Sequence, residues 1–569
     1  ESPWFGVAPG DTFTEEYGTV PKADPKGRRA GVVLHPTSLP GPYGTGEIGK
    51  EANKFIDWLA SADMSIWQVL PLVPPGRPIP GIREDYWSPY SGQDANAGNV
   101  LLLSLEGLVE LGLLHESDLP EHAPQSNCDF DYVVTHKEPL LYKAADNLLA
   151  NMVPPLTTEF RGFVSDPEIS AWLDDAALFA AIGNTPELLG VDWWEWPVGL
   201  RDREAAAMKE IQAKLTDSIL QYKALQFLFE KQWNAVKAYA TTKGVKILGD
   251  MPIYVAGHSA DVWANRELFT LKEDGKAELV SGVPPDAFSE TGQLWGSPLY
   301  DWQAHIKEDF AWWKQRMSRA LSLYDEVRID HFRAMTGYWA VDAQAETAMN
   351  GTWKAGPGIA LFDALKEKIG DENGDMPIIA EDLGVITPDV VELREDINAP
   401  GMVVLQFAFG GGASNIHLPH NHYPNSVVYP GTHDNDTCVG WFESLDAKTA
   451  KHVTSYTMSD PDSPDFKPAR MMTQLAMSSV ADTCIICLQD VVGLDASARM
   501  NTPGVADGNW AWRWLKPFDS LEAEAAELRM MCKDFGRTPP REEEEEEQEE
   551  EEQEEGETKD ANESTVAEE

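Results

Sequence analysis

Eight short apolar runs, each passing straight into loop chemistry, constrain this chain more than any other feature. They are GVVLHPTSLPG (31–41), whose strand runs into a turn-rich loop, SIWQVLPL (65–72), VKILGD (245–250), EVRID (326–330), PIIAED (377–382), MVVLQFAF (402–409), SVVYPG (426–431) and CIICLQD (484–490). Short continuous aliphatic runs of this kind are the mark of strands buried on both faces, as in a parallel sheet. Most are separated by helical patterns, and eight is the number a (β/α)8 barrel requires. The expected class is therefore α/β, a TIM barrel.

The gaps between the runs are uneven. The stretch 73–244 holds too many helical patterns for one crossover helix, so a large, mainly helical inserted subdomain is expected there. Residues 1–27 are polar and rich in Gly and Pro and read as an N-terminal extension, with the catalytic barrel over 28–540. The amphipathic stretch 520–536 reads as the last barrel helix. Residues 541–569 form a glutamate-rich, low-complexity tail that cannot bury apolar surface and is expected to be disordered.

Of the formal net charge of −49, the segment 542–569 carries −16 through 17 Asp/Glu and one Lys, which leaves −33 on the rest. An acidic body repels phosphate backbones and anionic lipid, so neither nucleic acid nor a membrane surface is an expected partner, and neutral substrates fit better. No run of about 18 apolar residues offers a membrane span. The five cysteines are an odd number in a large chain, which fits a reducing compartment. Cys484 and Cys487 form a CxxC, but at strand spacing they face opposite sides and read as core. With 12 histidines and no HExxH or Cys-rich cluster, no metal or other cofactor is expected. The GGGA near residue 410 lacks a following Lys and reads as a loop. Of the aromatic residues, Trp193, Trp194 and Trp196 in DWWEWP are assigned to packing.

Three runs end in a carboxylate: Asp330 in EVRIDHFR, Glu381 in PIIAEDLG and Asp434 in VVYPGTHDND. In a barrel these ends gather at the C-terminal rim, where catalysis is usually housed. Period-two alternation puts Arg328 and Asp330 on one face, so the guanidinium is expected to hold Asp330 ionised, as a carboxylate nucleophile must be. Glu381, at a partly apolar strand end beside Asp382, is expected to have a raised pKa suited to proton donation. One ionised and one protonated carboxyl facing a cleft is the apparatus for breaking a glycosidic bond. Asp434, with His433 beside it, supplies a third group able to bind hydroxyls and stabilise positive charge.

RIDHFR, IIAEDLG and GTHDND, together with HPTSLPGPYG (35–44), YWSPYSG (86–92), GDMPIYV (249–255), GVPPDAFSETGQLWGSPLY (282–300) and ARMNTPG (498–504), resemble the 4-α-glucanotransferases. These are the amylomaltases or disproportionating enzymes of glycoside hydrolase family 77, related to the α-amylases, and the resemblance spans about 28–537. It implies retaining transfer of α-1,4-glucan segments on an α-amylase-type barrel without a separate C-terminal β-domain, with Asp330 as nucleophile, Glu381 as general acid/base and Asp434 as transition-state stabiliser. It further implies that Arg328 and His433 are supporting residues at the sugar beside the cleaved bond, that Tyr90 stacks on that sugar, and that Asp250 is a further sugar-binding or organising acid. Asp286, Phe288, Gln293 and Trp295 would line the glucan path on a substrate-covering loop (282–300), and Asn501 would sit at the rim after the last strand. Ala287 stands where many bacterial relatives have an aromatic residue. The spelling DAFSETGQLWGSPLYDW is similar to the plastid enzymes of plants and green algae, which implies malto-oligosaccharides and α-1,4-glucans as donor and acceptor, a monomer or homodimer, and the chloroplast stroma.

Residue identities alone leave three readings: transfer to a second sugar, α-amylase-like hydrolysis of the same intermediate, or an inactive glucan-binding scaffold. The intact carboxylate trio argues against the last, and the resemblance favours the first.

Overall fold

The computed structural model describes residues 27–77, 87–285, 289–505 and 508–540. Eight strands form one sheet: Arg29–Val33, Ile66–Gln68, Lys246–Pro252, Glu326–Asp330, Ile378–Ala380, Gly401–Val404, Ser426–Tyr429 and Thr483–Cys487. Each corresponds to one of the eight apolar runs. Their order in the sheet runs from the sixth through the eighth to the first and on to the fifth, every pairing parallel. The two end strands of that order are consecutive in sequence and meet: Ala380 N–H donates to Pro400 O at 2.9 Å, and Met402 N–H to Asp382 Oδ1 at 2.7 Å. The sheet is thus a barrel, in sequence order around its circumference.

Burial explains why the strands read as continuous apolar runs. Ile66, Trp67 and Gln68 are all buried, as are all five residues of Thr483–Cys487, because helices cover one face and barrel side chains fill the other. Cys484 and Cys487 are free and buried, as the core reading required. Gly249 marks a close approach: a Cβ there would lie 2.1 Å from the Tyr324 ring, which packs beneath the neighbouring strand.

Between the second and third strands lie the helices Leu105–Glu110, Glu138–Leu149, Pro154–Ser165, Pro167–Gly183 and Ala205–Lys214, and then the 27-residue Thr216–Thr242. That long helix serves twice. It packs against the inserted helices, while Trp233, nearer its end, donates through Nε1 to Leu323 O at 2.8 Å, at the end of the barrel helix Ala311–Leu323. Trp193 and Trp196 are buried and Trp194 is half-buried. The last helix, Glu522–Asp534, packs on Lys50–Ser61. The connection from the sixth to the seventh strand holds two 3-10 turns and no α-helix.

The insertions are not all helical. A four-stranded antiparallel sheet, in the order Gln293–Pro298, Leu279–Val283, Gly337–Asp342, Gly351–Ala355, stands outside the barrel. The expected loop over 282–300 therefore includes the end of one strand, Leu279–Val283, and the whole of another, Gln293–Pro298. Gly292, Gly296 and Pro298 disguise the outer strand as turn chemistry, and its sheet includes residues beyond the fourth barrel strand, a pairing that no local pattern can reveal. Residues 1–26 and 541–569, which carry nearly all of the proposed extension and the whole of the acidic tail, lie outside the described residues.

Candidate active site

Register brings the first two carboxylates together. Arg328 pairs with Ile379 and Ile329 with Ala380, so Asp330 and Glu381 continue adjacent parallel strands at one level, with their backbones about 5 Å apart across the sheet. On the other side Arg328 pairs with Asp250 and Asp330 with Pro252. Alternation then turns Asp250, Arg328, Asp330 and Glu381 into the same barrel mouth.

Arg328 is the hub of that mouth. Its Nη1 donates to both Asp250 oxygens, at 2.7 and 2.6 Å, and its Nη2 donates to Asp330 Oδ1 at 2.8 Å. Asp250 is wholly buried, whereas the side chains of Asp330 and Asp434 remain 31% and 41% exposed. Asp250 thus anchors the guanidinium, and the other two acids face the cleft.

Tyr90 continues the network. Its O–H donates to Asp250 Oδ2 at 2.7 Å and lies 2.8 Å from His433 Nε2. Burial, with the Asp250 charge, pushes the Tyr90 phenol far above its ordinary range, so it is a neutral donor. Because the phenolic proton goes to Asp250, His433 Nε2 must carry the hydrogen directed at the Tyr90 oxygen. The two rings stack at 5.5 Å and 8°. His433 Nε2 is also 3.4 Å from Asp434 Oδ1, and Asn501 Nδ2 donates to that same oxygen at 2.6 Å. A chain of contacts therefore runs Asp330–Arg328–Asp250–Tyr90–His433–Asp434–Asn501.

Glu381 is held from behind. His331 N–H donates to its Oε2 at 2.6 Å and Leu383 N–H to its Oε1 at 3.0 Å. Burial and the neighbouring Asp330 charge raise its pKa to about 8 against the opposing pull of Arg328. Asp330 is raised as well, to about 6, by burial first and then by Asp250 and Asp434, with Arg328 and His433 pulling the other way. Arg328 reaches Asp330 and favours its ionised form, but it spends two of its three contacts here on Asp250, and desolvation outweighs its pull. The order is nevertheless that of a nucleophile and an acid, with Asp330 losing its proton before Glu381 does.

Among the described residues, neither Gln293 nor Trp295 forms a hydrogen bond with the three carboxylates. Trp295 Nε1 donates to Gln293 Oε1 at 3.2 Å, and its indole stands edge-on to the His331 ring at 4.6 Å, which ties both to the residue after Asp330. Asp286 and Phe288 lie outside the described residues. Sequence reasoning passed over Arg499, whose Nη2 donates to Asp434 O at 2.8 Å, and Trp510, whose ring lies 5.5 Å from Tyr90 and 6.2 Å from His433. Arg499 stood inside the ARMNTPG motif, and Trp510 opens the alternating WAWRW just beyond it. Among the described residues no group of three or more His, Cys, Asp or Glu could hold a metal ion, and no helix is long and apolar enough to cross a membrane.

The chain's residues 34–517 match the profile of a family described as 4-alpha-glucanotransferase, glycoside hydrolase family 77. It is 52% identical over 534 residues to the chloroplastic/amyloplastic 4-alpha-glucanotransferase of Solanum tuberosum, covering 93% of this chain and 90% of that one. Against the 4-alpha-glucanotransferase of Thermus thermophilus it is 42% identical, over 89% and 98% of the two chains. Among solved structures, the amylomaltase from Streptococcus agalactiae in complex with acarbose superposes with a TM-score of 0.83 at 35% identity, over 90% of this chain and all of that one.

Proposed function

The chain belongs to the 4-alpha-glucanotransferases of glycoside hydrolase family 77, and on that premise we propose that Asp330, Glu381 and Asp434 carry its transfer of α-1,4-glucan in two retaining steps. It is an enzyme of the amylomaltase type acting in starch metabolism. Asp330 Oδ attacks the anomeric carbon while Glu381 gives its proton to the departing glycosidic oxygen, leaving a covalent glycosyl-enzyme. Glu381, now a carboxylate, takes the proton from the 4-OH of a second glucan, whose oxygen attacks the same carbon and releases Asp330. A bound sugar outcompetes water because it is already oriented for attack.

The observation that carries this reading is the pair of carboxyls in register on adjacent strands, Asp330 bonded to Arg328 and Glu381 held by two backbone N–H groups, with burial pushing Glu381 up to about 8 and Asp330 up to about 6. Near neutral pH one is ionised and the other protonated, which the first step requires. Asp434, oriented by Asn501 and His433, serves the positive charge that develops on the ring. Tyr90 and His433 bind the sugar beside the cleaved bond, the buried Asp250 and Arg328 hold them and Asp330 in place, and Gln293 and Trp295 line the path of the longer glucan. The plant relatives' chloroplastic/amyloplastic naming supports the plastid stroma as the site of action.

Incubation with maltotriose alone tests the reading. Transfer yields glucose and a ladder of longer oligosaccharides. Shortening without lengthening would identify a hydrolase instead, and unchanged maltotriose would leave neither activity standing.

A further inference from the structure

We propose that the outer edge of the antiparallel sheet is an additional glucan contact, in which Trp353, backed by Arg333, holds a stretch of α-1,4-glucan extending beyond the three carboxylates. The proposal deepens the glucan-transfer reading and rests on it.

Trp353 lies on the edge strand Gly351–Ala355 and is 46% exposed, a large indole left open to solvent. It is nonetheless fixed in place. Its direct partner across the strands is Trp339, with ring centroids 5.2 Å apart at 62°. The Trp339 indole donates to Ala348 O at 2.9 Å and lies over Gly351, where a Cβ would come within 2.5 Å of it. The Arg333 guanidinium carbon sits 4.1 Å from the centre of the Trp353 ring. A rigid exposed ring loses little freedom when it binds, which suits it to recognition.

Position ties this ring to the catalytic cleft. Arg333 is buried and donates through Nη1 to Val385 O at 2.7 Å. It follows Asp330 by three residues, and Val385 follows Glu381 by four, so the loops bearing the two reacting carboxyls also seat Trp353. Trp295, 40% exposed, rests on His331 in the same segment. The α-carbons of His331 and Arg333 can be no more than about 7 Å apart, so one short segment after Asp330 meets both indoles.

Chemistry selects the occupant. A pyranose offers an apolar C–H face to an indole and hydroxyls at its rim, and the exposed Trp353 ring presents such an indole. The substrate is a polymer, so a chain engaged at Asp330 presents further sugars to whatever surface adjoins the cleft.

Trp353→Ala in the full chain tests the proposal, with kcat and KM measured on maltotriose and on long amylose, and particle mass by light scattering. The expected result is maltotriose kinetics within about twofold of wild type and a KM for long amylose raised about five- to tenfold. Equal losses on both substrates would mark Trp353 as structural, and no loss on either would remove it from the site; both outcomes overturn the proposal. A changed mass with an unchanged amylose KM would assign the face to a second copy of the chain, and overturns it equally. Where the alanine variant does not fold, Trp353→Leu decides: it keeps bulk against Trp339 but lacks the ring, and a retained amylose KM overturns the proposal. Failure of the wild type to lengthen maltotriose would instead remove the transfer reading itself.

Discussion

The backbone N–H of His331 lies 2.6 Å from Glu381 Oε2, so the residue following Asp330 holds the other reacting carboxyl in place. To do so His331 adopts a left-handed conformation, φ 58°, which a non-glycine residue adopts at a cost of about 1–3 kcal/mol. Burial lowers the His331 pKa to about 3, so its ring is neutral against Trp295. One strained residue thus couples the nucleophile's strand, the acid/base and the aromatic wall of the cleft.

The pH profile of kcat/KM should be bell-shaped. Activity needs Asp330 without its proton and Glu381 with one, so the rate rises as pH passes about 6 and falls as it passes about 8. Initial rates on maltotriose from pH 4 to 10 check this; an alkaline limb that persists unchanged in a Glu381→Gln variant with residual activity would remove Glu381 from the assignment.

The same shift carries a cost in stability. The folded protein holds the Glu381 proton up to about 8, whereas the unfolded chain releases it near the ordinary glutamate value. Between those values the native state binds more protons, so this group's penalty is absent at low pH, grows as pH rises and is complete above about 8. Glu381→Gln should therefore raise Tm by about 2–4 °C at pH 9 and by little at pH 4, as read by calorimetry.

Arg328→Lys should not be conservative. A lysine ammonium cannot reproduce the fork that joins Asp250 to Asp330, and one carboxylate is left unpaired. We expect kcat to fall about 10²- to 10³-fold. Arg328→Met, which leaves two buried or half-buried carboxylates without their cation, should also destabilise the fold by about 3–5 kcal/mol in urea melts.

Asn501→Ala removes the 2.6 Å hydrogen bond that orients Asp434 Oδ1. Stabilisation of charge in the transition state suffers before ground-state binding does, so kcat should drop about 10- to 100-fold with KM nearly unchanged. A variant in which KM alone rises would show that Asn501 serves binding instead.

Gly249→Ala tests the packing beneath the site. The added methyl meets the Tyr324 ring at 2.1 Å, and the strand carrying Asp250 must shift to admit it. Loss of about 1–3 kcal/mol of stability is expected, together with reduced activity.

Much of the barrel was legible because its signal is local. A strand such as Thr483–Cys487 is buried on both faces, and its five residues announce that without help from the rest of the chain. The antiparallel sheet was hidden for the opposite reason: Gln293–Pro298 is largely exposed and glycine-broken, and its neighbour Leu279–Val283 pairs on the other side with Gly337–Asp342, a strand that follows only after the fourth barrel strand. Trp510 was missed because an aromatic residue near a motif carries no mark of which ring it will meet.

The sequence by itself determined which chemical groups stand at the strand ends and that those ends share one rim, since both follow from residue identity and periodicity. Tertiary structure alone decided what the groups became. Arg328 reaches Asp250 across 78 residues of chain, and that contact divides the guanidinium between two acids. Desolvation and charge interactions depend on distance and surroundings, not on spacing in the chain, so only the fold could raise Asp330 to about 6 and Glu381 to about 8 and put their proton losses in a usable order.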